Sequence, residues 1–211
     1  MPLNQRVLAI AGGYRAGGNS DLLLSSFCRG VESANADVRV VYLRDLSFTS
    51  CIGCELCKDA HRCLRFDDDL TPLYGTIEAC GAVVLASPTY NYNVTAIMKA
   101  FLDRLYPFYD FTTEHPRGYS SHLAGEDVRH AAVLSVGEQL DSKDMGFTLE
   151  AMAQPLEALG YSVEERMPAY GFFERGALRR DARLMEEIRK RGAAFGARRD
   201  PLQPRSRIPP G

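Results

Sequence analysis

The sequence predicts an α/β domain, a doubly wound sheet of five parallel strands in the order 2-1-3-4-5, with a cysteine-rich loop after the second strand. Three observations carry this expectation. Short apolar runs alternate with segments of helical periodicity along most of the chain, the pattern of repeated βαβ units. The runs at 6–11 (RVLAIA) and 82–86 (AVVLA) have no polar face, as in strands covered on both sides. Turn-rich segments follow the first and third strands, and four of the six cysteines crowd the connection after the second.

Each element has its own signal. The first strand stops at Gly12-Gly13, and Asn19 and Ser20, good N-cap residues, open a helix that runs to about residue 33. The second strand is 37–43 (DVRVVYL), and 44–66 is non-periodic. Asp67, Asp68 and Asp69 offer an N-cap and favourable charge to a helix ending near Cys80 and Gly81. After the third strand and the turn-rich SPTYNYN, residues 95–106 place Ile97, Met98, Phe101, Leu102 and Leu105 on one helix face. An aromatic-rich loop is expected over 107–127, a fourth strand over 130–136, a helix over 147–159 closed by Gly160, and a fifth strand over 161–167. A last amphipathic helix is expected over 178–191, with Gly192 as its stop. There is no internal repeat and no second core, which gives one domain, 1–193, and a basic, Pro-rich tail, 194–211.

Composition narrows the function classes. In a chain of 211 residues, a hydrophobic fraction of 45% supports one sizeable core. Residues 189–211 carry seven Arg and Lys against one Asp, a net +6, so with a whole-chain charge of −2 the remainder carries −8. The tail is short and has no aromatic stacking platform, so a solvated or partner-docking tail is expected and no nucleic-acid partner. No run approaches the roughly 18 apolar residues that span a bilayer, and no membrane association is expected. The first residues lack a basic n-region and a small-residue cleavage site, so no export signal is expected. Six cysteines then point to a reducing compartment, the cytoplasm, where clustered thiols serve metal or redox chemistry.

In the order 2-1-3-4-5, ligands bind beyond the carboxyl ends of the strands, at the switch point between strands one and three. Residues 12–20 (GGYRAGGNS) leave strand one there. Glycines let backbone N–H groups turn toward an anion, the helix start adds a positive dipole end, and Arg15, Asn19 and Ser20 can donate to a phosphate. The loop matches neither the Walker A nor the dinucleotide pattern, so a monophosphate such as that of FMN fits better than ATP or NAD. A plain glycine-rich turn is the competing reading. Residues 87–93 (SPTYNYN) carry small, amide and aromatic groups suited to a flavin edge and face, with a polar βα loop as the alternative. A third loop on the same rim, 135–139, brings Gly137 and has a lesser part.

Cys51, Cys54, Cys57 and Cys63 place four thiols within thirteen residues. Two-residue gaps let one turn of chain aim successive sulfurs at one centre, which favours a [4Fe–4S] cluster. Zinc, which usually draws Cys pairs from separated knuckles, and metal-free thiols or a disulfide are the competing readings. His61 inside the loop is expected at the surface, and Cys28 and Cys80, on helices without Cys neighbours, are expected to pack. The shared rim of strands one and two is expected to bring the cysteine loop beside the phosphate loop. The aromatic residues Tyr106, Phe108, Tyr109, Phe111 and Tyr119 fit subunit packing or a flavin cap.

Over about residues 6–167 the chain resembles the iron–sulfur flavoproteins, a branch of the flavodoxin-like NADPH-dependent FMN reductase superfamily. The resemblance rests on the Gly-Tyr-Arg…Gly-Asn-Ser loop, the cysteine run followed by Asp67-Asp68-Asp69, and Ser87-Pro88-Thr89-Tyr90 leading to the segment KAFLDR that ends at Arg104. It implies that Gly13, Arg15, Asn19 and Ser20 hold FMN phosphate and that Pro88, Thr89, Tyr90, Asn91, Tyr92 and Asn93 frame the isoalloxazine, with Gly137 near it. It implies a homodimer or homotetramer with FMN near an interface. Tyr14 stands where the family often has Pro, and the loop after strand four lacks a typical Gly-rich run. The expected function is electron transfer between FMN and a [4Fe–4S] cluster, exchanging with a redox partner such as ferredoxin, NAD(P)H or a quinone. The alternative is an NAD(P)H-dependent FMN or quinone reductase without a cluster.

Overall fold

The computed structural model describes residues 5–125 and 127–197; the part of the basic tail beyond 197 lies outside them. The sheet is built from β1 (Arg6–Ala11), β2 (Asp37–Tyr42), β3 (Ala82–Pro88), β6 (Arg129–Val136) and β7 (Tyr161–Ala169). All pairs are parallel, in the order β2-β1-β3-β6-β7. This is the expected order, with the expected fourth and fifth strands standing as β6 and β7. Between them lies an antiparallel hairpin, β4 (Tyr109–Phe111) and β5 (Tyr119–Ser121), where the sequence predicted only a loop. Its three-residue strands pair through aromatic side chains and were too short to show a period of two.

Alternation along β1 divides the core in two. Leu8 and Ile10 face α2 (Thr71–Glu78), α3 (Ala96–Asp103) and α4 (Thr148–Ala158), packing with Leu73, Ile77, Met98, Phe101, Met152 and Leu156. Val7, Ala9 and Ala11 face α1 (Asn19–Glu32) and α5 (Ala182–Ala197), packing with Leu23, Phe27, Ile188 and Phe195. Both faces are covered, so the central strands carry no polar side.

Three local expectations are corrected. The residue that caps α1 is Gly18, while Asn19 and Ser20 lie inside the first turn with their side chains turned to other work. Helix α2 starts at Thr71, and Asp68 and Asp69 instead accept from Leu70, Thr49 and Ser47 N–H groups, closing the cysteine loop on itself. Helix α5 runs through Gly192 to Ala197. A Cβ at Gly192 would stand 2.1 Å from the Phe27 carbonyl oxygen, and one at Gly30 would stand 2.0 Å from that of Arg189. These glycines let α1 and α5 approach backbone to backbone, and the close packing outweighs their low helix propensity.

Candidate functional site

The loops at the carboxyl edge of the sheet enclose a cleft of about 390 Å³, within the range of small-molecule sites. Gly13, Tyr14, Arg15, Gly18, Asn19 and Ser20 line one side, and Pro88, Thr89, Tyr90 and Asn91 the other. Val136, Glu138, Phe172 and Phe173 complete it. The first N–H groups of α1 lack intrahelical acceptors, and the positive end of the helix dipole lies at this wall. A Cβ at Gly13 would stand 2.5 Å from Ser20 Oγ, so a glycine here keeps a small polar cradle open. The residues present fit a phosphate.

The other loop side chains are partly committed. Asn19 Nδ2 donates to the Glu174 carbonyl at 2.8 Å and its Oδ1 accepts from Leu178 N–H at 3.1 Å, fixing the connection after β7 against the loop. Arg15 donates to the Phe173 carbonyl at 3.2 Å and stays exposed, its guanidinium 5.9 Å from the Phe173 ring. Phe172 and Phe173 were missed from sequence, since nothing in a polar, glycine-bearing stretch marks it as a wall of a site formed 150 residues earlier. Beneath the loop, Arg44 donates to the Gly13 carbonyl at 3.0 Å and grips both oxygens of Asp21 at 3.0 and 2.9 Å. Asp21 also accepts from Gly17 N–H at 2.8 Å.

Residues 90–93 form a tight hairpin in which Tyr90 and Asn93 exchange hydrogen bonds of 2.8 and 3.0 Å. Asn91 and Tyr92 at its tip have φ of 48° and 65°, the signature of a type I′ turn. Tyr92 and Gly137 line an adjoining compartment of about 180 Å³ with Thr89, Asn91, Glu138, Gln139, Asp144 and Met145. Asn93 is spent on the turn, its Oδ1 accepting from Val94 N–H. Thr89 is held from behind by the Ser135 and Thr148 hydroxyls, at 3.2 and 3.0 Å.

All four loop cysteines line a second cavity of about 130 Å³, with Ile52, Leu64, Phe66, Arg104 and Tyr106 among its other walls. The thiols are free, Cys57 buried and Cys54 exposed. Burial pushes the Cys57 thiol up, against a backbone hydrogen bond that lowers it, and the charges of Cys63, Cys51 and Cys54 add to the rise. Gly53 N–H donates to Cys51 Sγ at 3.4 Å. Among the described residues, no group of three or more His, Cys, Asp or Glu converges on a point that would hold one metal ion. The set is right in type and number for a cluster, whose thiolates attach at separate corners.

The loop is fastened at both ends. Arg104, only 2% exposed, donates to the Thr49 carbonyl at 2.7 Å and to both Asp68 oxygens at 2.7 and 3.1 Å. Burial works against the Asp68 charge, but Arg104 and the Thr49 and Leu70 N–H groups outweigh it and hold this carboxyl below its usual range. Along the loop, Glu55 accepts from Arg117 at 2.7 Å and Tyr106 at 3.2 Å, and His61 stacks on His122 with ring centres 3.5 Å apart. From sequence Arg104 stands only as the end of the KAFLDR segment, with no role assigned, because it reads as a surface arginine beside an apolar helix face; an arginine followed by Leu105 and opposite an aspartate triplet was the available signal.

The expected shared rim holds only at the root of the cysteine loop, where Arg44 touches the phosphate loop. The thiols lie farther along. The two cavities have no lining residue in common: Pro88 to Asn91 precede α3, whereas Asp103, Arg104, Tyr106 and Pro107 follow or end it. Helix α3, eight residues or about 12 Å long, lies in the chain between these two sets of wall residues.

A doubly wound sheet with a phosphate cradle at its switch point defines a mononucleotide-binding α/β protein. A family model described as NADPH-dependent FMN reductase matches residues 5–137, and the chain belongs to that family. It is also similar to several iron–sulfur flavoproteins: one from Archaeoglobus fulgidus is 34% identical over 103 residues, covering 49% of this chain and 46% of that protein. Another, from Methanocaldococcus jannaschii, is 28% identical over 102 residues, covering 48% and 52%. The chain thus matches about half the length of these relatives. Among solved structures, an NAD(P)H:quinone oxidoreductase from Methanothermobacter marburgensis superposes with a TM-score of 0.65 at 19% identity, covering 92% of this chain and 98% of that one. A flavone reductase superposes with a TM-score of 0.69 at 13% identity, covering 93% and 64%. These structures show the shared fold. No helix among the described residues is long and apolar enough to cross a membrane.

Proposed function

We propose that the chain is an FMN-binding redox protein that transfers electrons between FMN and a [4Fe–4S] cluster held by Cys51, Cys54, Cys57 and Cys63. The observation that carries this reading is that four free thiols line one cavity in a chain whose other cleft is a helix-capped phosphate cradle. When bound, FMN exchanges one or two electrons and the cluster one at a time. Ser20, the first N–H groups of α1 and Arg15 would hold the phosphate, and Asn19 keeps the wall carrying Phe173 in place. Pro88, Thr89, Tyr90, Asn91 and Tyr92 would frame the ring system, with Asn93 closing their turn and Gly137 bordering it.

Exposed Ile52, Leu56 and Leu64 stand at or beside the cysteine cavity. They support a homodimer or homotetramer in which the cysteine loop meets a second copy, which would turn the cysteine cavity of one copy toward its neighbour. Free thiols support a reducing compartment, the cytoplasm, with ferredoxin, NAD(P)H or a quinone as redox partner. The expected boundary at 193 falls inside α5, which runs to Ala197 with Phe195 buried in the core, so the domain reaches at least 197, and the basic stretch 198–211 is read from its composition as a solvated or partner-docking tail.

A second reading, an NAD(P)H-dependent FMN or quinone reductase with structural cysteines, is favoured by the match to the NADPH-dependent FMN reductase family model. Metal and flavin analysis of anaerobically purified protein separates the two. The first reading expects one FMN and about four irons per chain, with iron lost and flavin kept in Cys54→Ala. Protein that takes up FMN but no iron on anaerobic reconstitution, and reduces quinone with NADPH equally well as Cys54→Ala, supports the second. Failure to bind FMN overturns both.

A further inference from the structure

Beneath the phosphate cradle lies a charge that opposes the ligand above it. Asp21 lies in the first turn of α1 and is 7% exposed. Its Oδ1 stands 3.8 Å from where a Gly13 Cβ would be, and Ser20 Oγ stands 2.5 Å from that point. A carboxylate there draws on the same positive helix end that an entering phosphate needs, and repels the phosphate directly. One guanidinium offsets it. Arg44 binds both Asp21 oxygens and the Gly13 carbonyl, and packs over the Tyr42 ring at 4.4 Å. Arg44 belongs to the turn Leu43–Asp45 that follows β2, so the neutralising charge is carried by the root of the cysteine loop and not by the phosphate loop.

We infer that Arg44 is a positioning residue that makes the cradle competent for a phosphate by cancelling Asp21, and that the root of the cysteine loop thereby sets the affinity for the phosphate end of FMN. Asp21 in turn braces the loop through Gly17 N–H, so the pair supplies shape as well as charge. This rests on the FMN reading of the cleft. The two roles separate by sign. If charge cancellation matters, removing Arg44 harms phosphate binding, removing the Asp21 charge does not, and removing both restores it. If bracing alone matters, all three variants lose affinity together.

The test is titration of the flavin-stripped full chain with FMN and with riboflavin, which lacks the phosphate, followed by fluorescence quenching. Arg44→Met is expected to weaken FMN by about tenfold or more, with riboflavin binding little changed. Asp21→Asn is expected to hold or tighten FMN, and the double variant to return within about threefold of the parent. Arg44→Lys, which keeps the charge with fewer hydrogen bonds, is expected to retain most of the affinity and covers the case in which Arg44→Met fails to fold. Equal losses for FMN and riboflavin, or a loss in Asp21→Asn matching that in Arg44→Met, would overturn the inference while leaving the cleft a flavin site. A parent chain that binds neither flavin would overturn the FMN reading itself.

Discussion

Tyr92 shows what the hairpin at the cleft costs. Its φ of 65° and the 48° of Asn91 place two side-chain-bearing residues in the left-handed region, where asparagine is tolerated and a bulky aromatic is uncommon. The turn persists because Tyr90 and Asn93 close it with two hydrogen bonds, and Phe147 N–H donates to the Tyr92 carbonyl from a neighbouring loop. Tyr92→Gly is expected to raise apoprotein stability by about 0.5–1 kcal/mol, since glycine removes the left-handed penalty but loses more chain entropy on folding. Thermal unfolding of the flavin-free protein is the measurement. Strain at this tip agrees with its position on the ligand side, where local rules are most often broken.

At the level of elements, two fastenings differ in kind. The α1–α5 contact is made of backbone held close by absent side chains, so Gly192→Ala drives a methyl into the Phe27 carbonyl. A loss of about 2–3 kcal/mol in denaturant unfolding is expected, with little change in slope. The cysteine loop is instead tied to α3 by charge. Arg104→Met would leave the half-buried Asp68 without its counter-charge, held only by the Thr49 and Leu70 N–H groups, at a cost of about 2–3 kcal/mol, whereas Arg104→Met combined with Asp68→Leu should lose clearly less. Acid tests the same pair. The folded Asp68 carboxyl lies below its unfolded value, so its contribution is fully present above about pH 4 and disappears as pH falls through the folded value. In a pH series of unfolding curves, the parent should lose stability below pH 4 more steeply than the double variant.

For the whole molecule, two cavities with no lining residue in common make assembly the deciding property. Ile52, Leu56 and Leu64 are each more than half exposed beside the cysteine cavity, an apolar group that a lone chain would leave in water. Sedimentation is expected to give a dimer or tetramer, and a triple variant, Ile52→Asp, Leu56→Glu and Leu64→Glu, a smaller species that keeps its FMN. A parent chain that sediments as a monomer would remove the contact between copies.

Much of this could be read along the chain because the signals are local. The uninterrupted apolar run in RVLAIA, the glycines after it, the 3.6-residue spacing of Met98, Phe101 and Leu102, and the cysteine spacing each report on their immediate surroundings, and together they located the strands, the helices and the loops that line the cavities, while the strand order followed from five strands alternating with helices. Arg44 on Asp21, Arg104 on Asp68, Asn19 on the 174–178 connection and Gly192 on Phe27 join residues far apart in sequence, and no periodicity encodes a partner that distant. A buried arginine or an interior glycine looks out of place until the element that pairs with it is packed against it. The sequence by itself therefore determined the architecture and the kinds of side chain that its two unusual loops carry. Only the tertiary structure decided that those loops line separate cavities and which charges hold them there, because both depend on packing between segments that are brought together by folding.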